Sequence, residues 1–472
     1  MKSHKLILGL ILTIVVIVTQ SCLDDDKIST NPSYQLSFSA DTVGFDTLFT
    51  GITSTTVKLK VYNRNKERVR ISDISLFGGA NSPFKINVLG RSSENQSFSD
   101  IEIQGKDSLY LSIRVKLDEN HRDQPLLIRD SIRFLTNGNE QKIQLFSVGQ
   151  DVVVLRNKTV VNDSMITAQK PHLIYGQLTV NEGKTLTIEK GSKLYFYKDA
   201  GITINGSLQV LGTEEQPIVM RGHRLDNMFP GVPYDSLPGQ WQGLCFNSPT
   251  SEHRLEFVTI KNPVTAIRIS GNETQKPILT IRNSILHNTD SFAVVSKNAR
   301  LTVENTQISN SRQNCLFLQG GEYNFAHCTV ANYFPRKNLK SKTLLIKNYD
   351  DASEIIPYPI SAAFKNCIIF GSTNNEIELD RKNDFLFDLS FNGCLLVGEQ
   401  VLDDNYFVGA IWEKSSTTVF ANTKTYPYDF RLAADSPAID KADMSIAGLY
   451  PTDLTGKSRL SDSQADIGAY EY

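Results

Sequence analysis

The sequence lacks most of the features that quickly reveal a function. Its 472 residues contain six cysteines and seven histidines, and neither a Cys-x-x-Cys motif nor a close histidine pair occurs, which excludes the common zinc motifs. The 49 basic and 51 acidic residues leave a net charge of −2, and no basic stripe favours nucleic acid as a partner. We therefore expect no metal, no cofactor and no nucleic acid.

The patterning typical of helices is scarce as well. Runs of Val, Ile, Thr, Tyr and Phe are separated by Asn, Gly, Asp and Ser, which predicts an all-β protein. A chain of this length is too long for one core, so we expect at least two units. About seven short alternating runs between residues 34 and 150 favour an immunoglobulin-like β-sandwich as the first unit.

The N-terminus carries processing signals. A basic start precedes the apolar run 6–18, which is too short to span a bilayer. The run leads to Cys22, and three aspartates follow at 24–26. This arrangement resembles the signals of bacterial surface lipoproteins of the Bacteroidota type. The resemblance implies a signal peptide at 1–21, acylation of Cys22, an acidic tether at 22–33, and a cell-surface position anchored in outer-membrane lipid.

A repeated octet dominates the second half of the chain. Its fourth position is Cys, Ser, Thr or Val, a mostly apolar pair follows, and its last position is Asn or Gly. The octets begin 26, 22, 22, 39 and 27 residues apart, and a period near 22 with β-type alternation predicts a solenoid of stacked turns. The octets are 255–262, 281–288, 303–310, 325–332, 364–371 and 391–398.

The cysteines after Cys22 number five, and Cys328, Cys367 and Cys394 share the fourth position of the octet. An odd number at repeated positions favours free, buried thiols over disulfides. We expect the same of Cys245 and Cys315.

Three segments that precede or open the repeats, 183–191, 206–212 and 241–246, combine turn glycines with short apolar strands. They resemble the opening coils of right-handed parallel β-helices of the pectin-lyase-like superfamily, which implies such a solenoid over 151–425. Residues 426–472 are similar to the closing segment of bacterial surface β-helix proteins. We expect them to form a C-terminal cap over the exposed strand edges at the end of the solenoid.

Two catalytic alternatives deserve a test because β-helix enzymes cleave acidic polysaccharides. Asn288-Thr289-Asp290 matches one element of the polygalacturonase family, but the Gly-His-Gly element of that family is absent. A pectate-lyase-like calcium site would need an acidic cluster, and alternation in 376–380 predicts that Glu376, Glu378 and Asp380 point outward on one face. We interpret that face as solvated.

Two insertions interrupt the repeat, at 222–240 and 333–342. The register predicts that both leave the same edge about four strands, or ~19 Å, apart. We predict that they wall a trough for an extended polysaccharide, because aromatic rings cover the apolar faces of sugars and polar side chains satisfy hydroxyls. The predicted ligand-binding residues are His223, Asp226, Tyr234, Asn288, Asp290, Arg312, Tyr333, Phe334, Arg336 and Lys337.

The leading hypothesis from sequence is therefore a non-catalytic binding or display role at the cell surface, with polysaccharide as the favoured ligand class. A polysaccharide lyase or glycoside hydrolase that acts on uronic-acid polymers is the first alternative. A structural adhesin, which needs no groove, is the second.

Overall fold

The computed structural model describes residues 27–272, 274–338, 340–350, 356–399, 405–461 and 463–472, so the predicted signal peptide and Cys22 lie outside the described residues. Strands account for 52% of the structure and helices for 2%, which confirms the all-β prediction. Among the described residues no helix is long and apolar enough to cross a bilayer. The chain divides into an N-terminal unit that ends at Asp151 and a C-terminal unit, Val152–Tyr472.

Two sheets build the N-terminal unit. The six-stranded sheet comprises, in spatial order, Ile28–Ser29, Arg68–Leu76, Leu126–Thr136, Asn139–Gln150 and Thr42–Phe49, with Ser97–Ile103 paired to Arg68–Leu76. The five-stranded sheet comprises Ser37–Phe38, Val57–Tyr62, Ser108–Val115, Phe84–Val88 and Arg91–Ser92. Buried and exposed residues alternate along the strands, and the buried side chains of both sheets form one hydrophobic cluster.

An eleven-stranded sheet runs through the C-terminal unit, and all its neighbouring strands are parallel. Its strands are Val153–Arg156, His172–Tyr175, Lys193–Phe196, Ile218–Gly222, Val258–Lys261, Ile285–Thr289, Gln307–Ser311, Thr329–Asn332, Ile368–Gly371, Leu395–Val397 and Ile411–Glu413.

Between successive strands of the eleven-stranded sheet, the chain forms strands of a second, seventeen-stranded sheet. Its strands are Thr159–Val160, Ser164–Ile166, Gln177–Val180, Thr185–Glu189, Gly201–Ile204, Ser207–Leu211, Gly243–Phe246, Glu252–Glu256, Ile267–Ser270, Ile278–Arg282, Val294–Glu304, Leu316–Ala326, Leu344–Lys347, Ile360–Lys365, Ile377–Asp380, Phe387–Asn392 and Phe407–Val408. The inward side chains of the two parallel sheets share one hydrophobic core.

The remaining elements are short. Three two-stranded pairs join Asn227–Phe229 to Val232–Pro233, Tyr349–Asp350 to Ile356–Pro357, and Phe420–Asn422 to Asp429–Leu432. Within the described ranges the helical segments are the α-helix Met444–Ala447 and the 3-10 helices Gly79–Asn81 and Tyr234–Ser236.

Identical side chains stack along the C-terminal unit at equivalent octet positions. The last position of the octet forms a buried ladder of asparagines, in which Asn288 Nδ2 donates to Asn262 Oδ1 at 2.7 Å. Cys328, Cys367 and Cys394 occupy the fourth position and are free and fully buried. Of the five described cysteines only Cys245 is partly exposed, so the expectation of burial is wrong there. The octet repeat is therefore a repeat of interior positions.

The C-terminal segment lies in a different place from the one predicted for an end cap. Its apolar side chains cluster with outward-facing residues of the eleven-stranded sheet, such as Ala331, Phe370 and Val397. We therefore correct the predicted position: the segment covers the side of the sheet. The physical reason is that these strands carry buried residues at consecutive positions, so both of their faces need a cover.

Hydrogen bonds hold this segment, which we call the lateral cover (residues 419–472), against several strands in turn. The Ala469 amide donates to Thr329 Oγ1 at 3.0 Å, and the Tyr470 hydroxyl donates to Gln307 Oε1 at 2.5 Å. Gly468 has a φ of +103°, and a Cβ there would come within 2.7 Å of the Ile368 side chain. Glycine thus permits the backbone to approach the sheet at this point.

Candidate functional site

Both insertions leave the same edge of the eleven-stranded sheet. The first follows strand Ile218–Gly222 and the second follows strand Thr329–Asn332, with three strands between them. The second begins with residues that fold inward, whereas the first carries an exposed hairpin. They therefore differ as candidate binding walls.

An ion pair on an aromatic ring forms the base of the first insertion. Arg224 donates to both carboxylate oxygens of Asp226, at 2.7 and 2.6 Å, and its guanidinium carbon lies 4.0 Å from the ring centroid of Tyr234. The hydrogen bond to Asp226 raises the pKa of Arg224. Two of the predicted ligand-binding residues, Asp226 and Tyr234, are thus brought together on one guanidinium.

The tip of the same insertion exposes apolar side chains. Strands Asn227–Phe229 and Val232–Pro233 form a hairpin in which Met228 is 47% exposed and Phe229 is 60% exposed. At this exposure much of the Phe229 ring is accessible to solvent. An exposed apolar tip above polar side chains is typical of a contact surface for a ligand.

A column of stacked rings leads from the preceding strands to this insertion. Tyr175 and Tyr197 stack at 4.6 Å, and Tyr197 and His223 lie 4.4 Å apart. Arg156 lies 3.9 Å from the centroid of Tyr175 and closes the column at its other end. Burial lowers the pKa of His223 to about 4, with a further contribution from Arg224, so the ring is neutral at pH 7. Faces of these rings are thus occupied by one another and by Arg156, and Tyr197 remains 39% exposed.

Asp235, within the insertion, links the outer face of the sheet to the lateral cover. Its carboxylate lies 2.9 Å from Arg221 and 2.9 Å from Lys261, and it accepts a hydrogen bond from the Tyr426 hydroxyl at 2.6 Å. Burial would raise the pKa of Asp235, but Tyr426, Lys261 and Arg221 together lower it. The group is therefore a stable carboxylate whose charge is compensated.

Asn288, Asp290 and Arg312 lie between the two insertions, as the register predicts, but only two of them reach the surface. Asn288 is 4% exposed and donates to Ser236 O at 3.1 Å in addition to its bond within the asparagine ladder. Asp290 and Arg312 form an ion pair at 2.5 Å, with side chains 33% and 46% exposed. Asn288 therefore positions the first insertion, whereas the ion pair faces solvent.

The second insertion is anchored by buried side chains. Phe334 is 7% exposed, and Tyr333 packs edge-on against Phe420 of the lateral cover, with ring centroids 6.1 Å apart. Arg336 is exposed. Lys337 forms a salt bridge with Glu376, and both side chains are almost completely buried.

This pairing corrects the expectation that Glu376 points outward. Strand Ile377–Asp380 begins one residue later, so the alternation does not extend to Glu376. Its carboxylate instead accepts hydrogen bonds from Thr343 and Thr373 under the second insertion. Glu376 therefore cannot belong to an outward acidic face, and Phe334 and Lys337 cannot line a surface trough.

The charges at this edge suit binding better than acid–base chemistry. Asp235 is held between two cations, and Asp290 is paired with Arg312. Glycoside hydrolysis uses two carboxyl groups that can act as acid and as base or nucleophile, and a carboxylate held by cations is a poor proton donor. Among the described residues no group of three His, Cys, Asp or Glu side chains could hold a metal ion.

Of the ring column, sequence reasoning named His223 but missed Arg156, Tyr175 and Tyr197, and it also missed the partners of Asp235. Arg156, Tyr175, Tyr197 and His223 occupy one position in four successive strands of the eleven-stranded sheet or directly after them. The only sequence signal was a ring or a guanidinium at the fourth position of the aligned stretches 153–156, 172–175, 194–197 and 220–223. It was overlooked because these early strands lack the octet that marks the later repeats.

Comparisons with known proteins cover only parts of the chain. No family model matches it. A stretch of 128 residues is 32% identical to the protein bark beetle of Drosophila melanogaster. This stretch is 25% of the chain and 4% of that protein, so the chain spans only a small fraction of this relative's length.

Solved structures give only distant matches. A family 123 glycoside hydrolase from Clostridium perfringens is 10% identical over 26% of this chain and 30% of that chain, with a TM-score of 0.19. The VesB protease of Vibrio cholerae is 13% identical over 25% of this chain and 33% of that chain, with a TM-score of 0.16. Similarities at this level do not assign a fold or an activity.

Proposed function

We propose that the chain is a surface lipoprotein, anchored to the outer membrane through acylated Cys22, that binds polysaccharide without cleaving it. Its N-terminal unit is an immunoglobulin-like sandwich, which two sheets around one core support. Its C-terminal unit is a right-handed parallel β-helix of the pectin-lyase-like type, which the parallel sheets and stacked interior ladders support.

The observation that carries the binding proposal is the exposed ring of Phe229 above the Arg224, Asp226 and Tyr234 base. A free ring face covers the apolar face of a sugar, and the ion pair and the phenol offer donors and acceptors to its hydroxyls. The ring column continues this surface over three preceding strands. The hydrophobic cluster of the lateral cover includes no residue of those strands. The site thus suits an extended chain of sugars.

The absence of catalysis in this proposal rests on the paired carboxylates. Three acids of this edge, Asp226, Asp235 and Asp290, have cationic partners within 3 Å. A hydrolase or lyase on this edge would need one of these pairs to open.

The proposal can be tested by screening the full chain against an array of neutral and acidic polysaccharides and measuring affinity for the best ligand. Phe229→Ala should weaken binding about tenfold, because one aromatic contact is lost. Phe77→Ala is the matched control, since Phe77 is 81% exposed in the N-terminal unit and lies outside the site.

Three results would contradict the proposal. They are equal effects of the two substitutions, no binding to any glycan on the array, and the release of shortened products from a bound polysaccharide.

A further inference from the structure

The five-stranded sheet of the N-terminal unit has an outer face of one charge sign. Its outward positions carry Lys58 and Lys60 on one strand, Arg114 on the next and Lys85 on the third. No aspartate or glutamate occupies an outward position of the strands Val57–Tyr62, Ser108–Val115, Phe84–Val88 and Arg91–Ser92. Among the described residues, none of these four cations forms an ion pair. We call this surface the basic face.

The six-stranded sheet of the same unit shows the contrasting arrangement. Among the described residues four of the five cations on its strands are paired, and Arg129 is the exception: Glu102 lies 3.2 Å from Arg68 and 2.9 Å from Arg70, Asp73 lies 2.8 Å from Arg133, and Glu140 lies 2.9 Å from Lys142. Paired charges are the ordinary solution for a solvated sheet surface. The uncompensated charge of the basic face therefore calls for a separate explanation.

Two tyrosines lie among the cations of the basic face. The Lys60 ammonium lies 5.1 Å from the ring centroid of Tyr62 and 5.3 Å from that of Tyr110. Arg64 lies 4.7 Å from the Tyr62 ring. These contacts use the ring faces and fix the position of the Lys60 charge.

A cleft of about 490 Å³ opens at the other end of the basic face. Two cations, Arg114 and Lys85, line it, together with neutral hydrogen-bonding side chains and no carboxylate. The neutral polar side chains are Thr56, Asn87, Ser92, Gln96 and Ser112. Arg114 Nε donates to Thr56 Oγ1 at 2.6 Å, which leaves its terminal nitrogens available. The cleft offers cations for acidic groups, and Asn87, Ser92 and Ser112 offer polar groups for neutral oxygens, whereas Gln96 is buried and bonded to Ile86 N and Ser93 O.

We propose that the basic face binds a polyanionic polysaccharide, with its carboxylate or sulfate groups held by Arg114 and Lys85 in the cleft and by Lys58 and Lys60 along the sheet. The proposal stands independently of the site on the first insertion. Cations at alternate positions along strands lie ~7 Å apart, a spacing that suits charges repeated along a polymer.

The same observations argue against two other polyanions. Single-stranded nucleic acid would need several free aromatic faces for base stacking, but the Tyr62 ring already has Lys60 and Arg64 beside it, which leaves Tyr110 alone on this face. A membrane surface would need no cleft lined by hydroxyls and amides. Nucleic acid and anionic lipid are therefore outcomes that the experiment must distinguish.

The experiment measures binding of the full chain to polygalacturonate and dextran sulfate, with neutral dextran, single-stranded DNA and phosphatidylserine vesicles for comparison. The double variant Lys85→Gln/Arg114→Gln should bind the acidic polysaccharides about tenfold more weakly, because charge-assisted hydrogen bonds are lost. The matched control, Arg122→Gln/Arg129→Gln, removes two exposed cations outside the basic face and should change affinity less than about twofold.

Raising the salt concentration should weaken wild-type binding, since the attraction is between exposed charges. All these substitutions are at exposed positions, and thermal unfolding should confirm that each variant folds. Three results would overturn the proposal. They are equal losses of affinity in the two double variants, binding to neutral dextran as tight as to the acidic polysaccharides, and tighter binding to DNA or vesicles than to any acidic polysaccharide. Failure of the Phe229→Ala test alone would leave it standing.

Discussion

The early and late strands of the eleven-stranded sheet differ in their outward faces. The early strands expose theirs to solvent, and the late strands bury theirs. One outward column of the sheet changes along its middle strands from large polar side chains to small or apolar ones. In register order this stretch, which follows Val154 and Leu173 and precedes Glu413, reads Tyr195, Arg221, Lys261, His287, Ser309, Ala331, Phe370 and Val397. The early positions are partly exposed, whereas those from His287 onward are buried. The backbone is the same throughout, so the side chains decide whether the face is open or covered.

The change occurs where the lateral cover begins. Tyr426 reaches Asp235 beside Lys261, and the rings of Tyr428 and Phe430 lie 5.9 and 6.1 Å from the His287 ring. The early strands present a surface that a ligand can reach, whereas the outward face of the late strands packs against the lateral cover. This difference assigns a binding role to the first and a stabilising role to the second.

The largest expected effect comes from the covered part of the column. Phe370→Ala should lower the free energy of unfolding by about 3–5 kcal/mol, because a buried ring is lost and a cavity remains. Tyr195→Ala, in the same column but open to solvent on one side, should cost about 1 kcal/mol. Urea unfolding followed by tryptophan fluorescence reports on the C-terminal unit, since both tryptophans, Trp241 and Trp412, belong to it. Equal costs would remove the distinction between the two stretches.

The cost in unfolding free energy of breaking an ion pair should differ almost as much between the two regions. Arg459 and Glu471 of the lateral cover pair at 2.5 Å, with side chains 0% and 6% exposed. Glu471→Gln removes the carboxylate that pairs directly with a buried guanidinium and should cost about 3 kcal/mol. Asp290→Asn breaks an exposed pair and should cost about 0–1 kcal/mol. The same unfolding assay measures both, and a larger loss for Asp290→Asn would contradict the assignment.

Lowering the pH should destabilise the covered stretch through protonation of His287 in the unfolded state. Burial lowers the pKa of this residue to about 3, with a further contribution from Lys261. Because the folded pKa lies below the unfolded value of 6.5, the unfolded state binds more protons between these values, and stability falls as the pH falls below 6.5. At pH 5 the loss from this residue is about 2 kcal/mol relative to pH 7. Unfolding at both pH values should show a smaller difference for His287→Gln; an unchanged difference would contradict the account.

The smallest difference between a substitution and its control is expected at the boundary between the two stretches. Tyr426→Phe removes the hydrogen bond to Asp235 and should cost about 1 kcal/mol. Tyr428→Phe is the control, because within the described part of the chain its hydroxyl has no hydrogen-bond partner. If the two substitutions have the same effect on urea unfolding, the contact with Asp235 does not fix the edge of the lateral cover.

Much of the scaffold follows from the sequence, because its signals are local. The octets predict the strands and the interior positions of the cysteines and asparagines, since alternation and repetition specify which residues point inward. Alternation predicts Glu376 wrongly, because it stops where the strand stops. The inward pairing of Glu376 with Lys337 depends on an insertion 39 residues away, which no local pattern encodes.

The position of the lateral cover also escaped local reasoning. The apolar pairs of the octets 364–371 and 391–398 indicate strands that are buried on both faces. The pattern does not say which segment covers the second face, because any apolar segment of suitable length satisfies it. The basic face of the N-terminal unit was missed for a related reason. Its cations come from three strands that are distant in sequence, so only the sheet register brings them together.

Hydroxyl-radical footprinting of the full chain tests the difference between open and covered strands most directly. The account predicts rapid modification of Tyr197, Met228 and Phe229, which lie on the open stretch and its insertion, and strong protection of Phe370 and Leu395 beneath the lateral cover. Modification of Phe370 and Leu395 at the rate of Tyr197 would show that the late strands are open too, and would contradict the account.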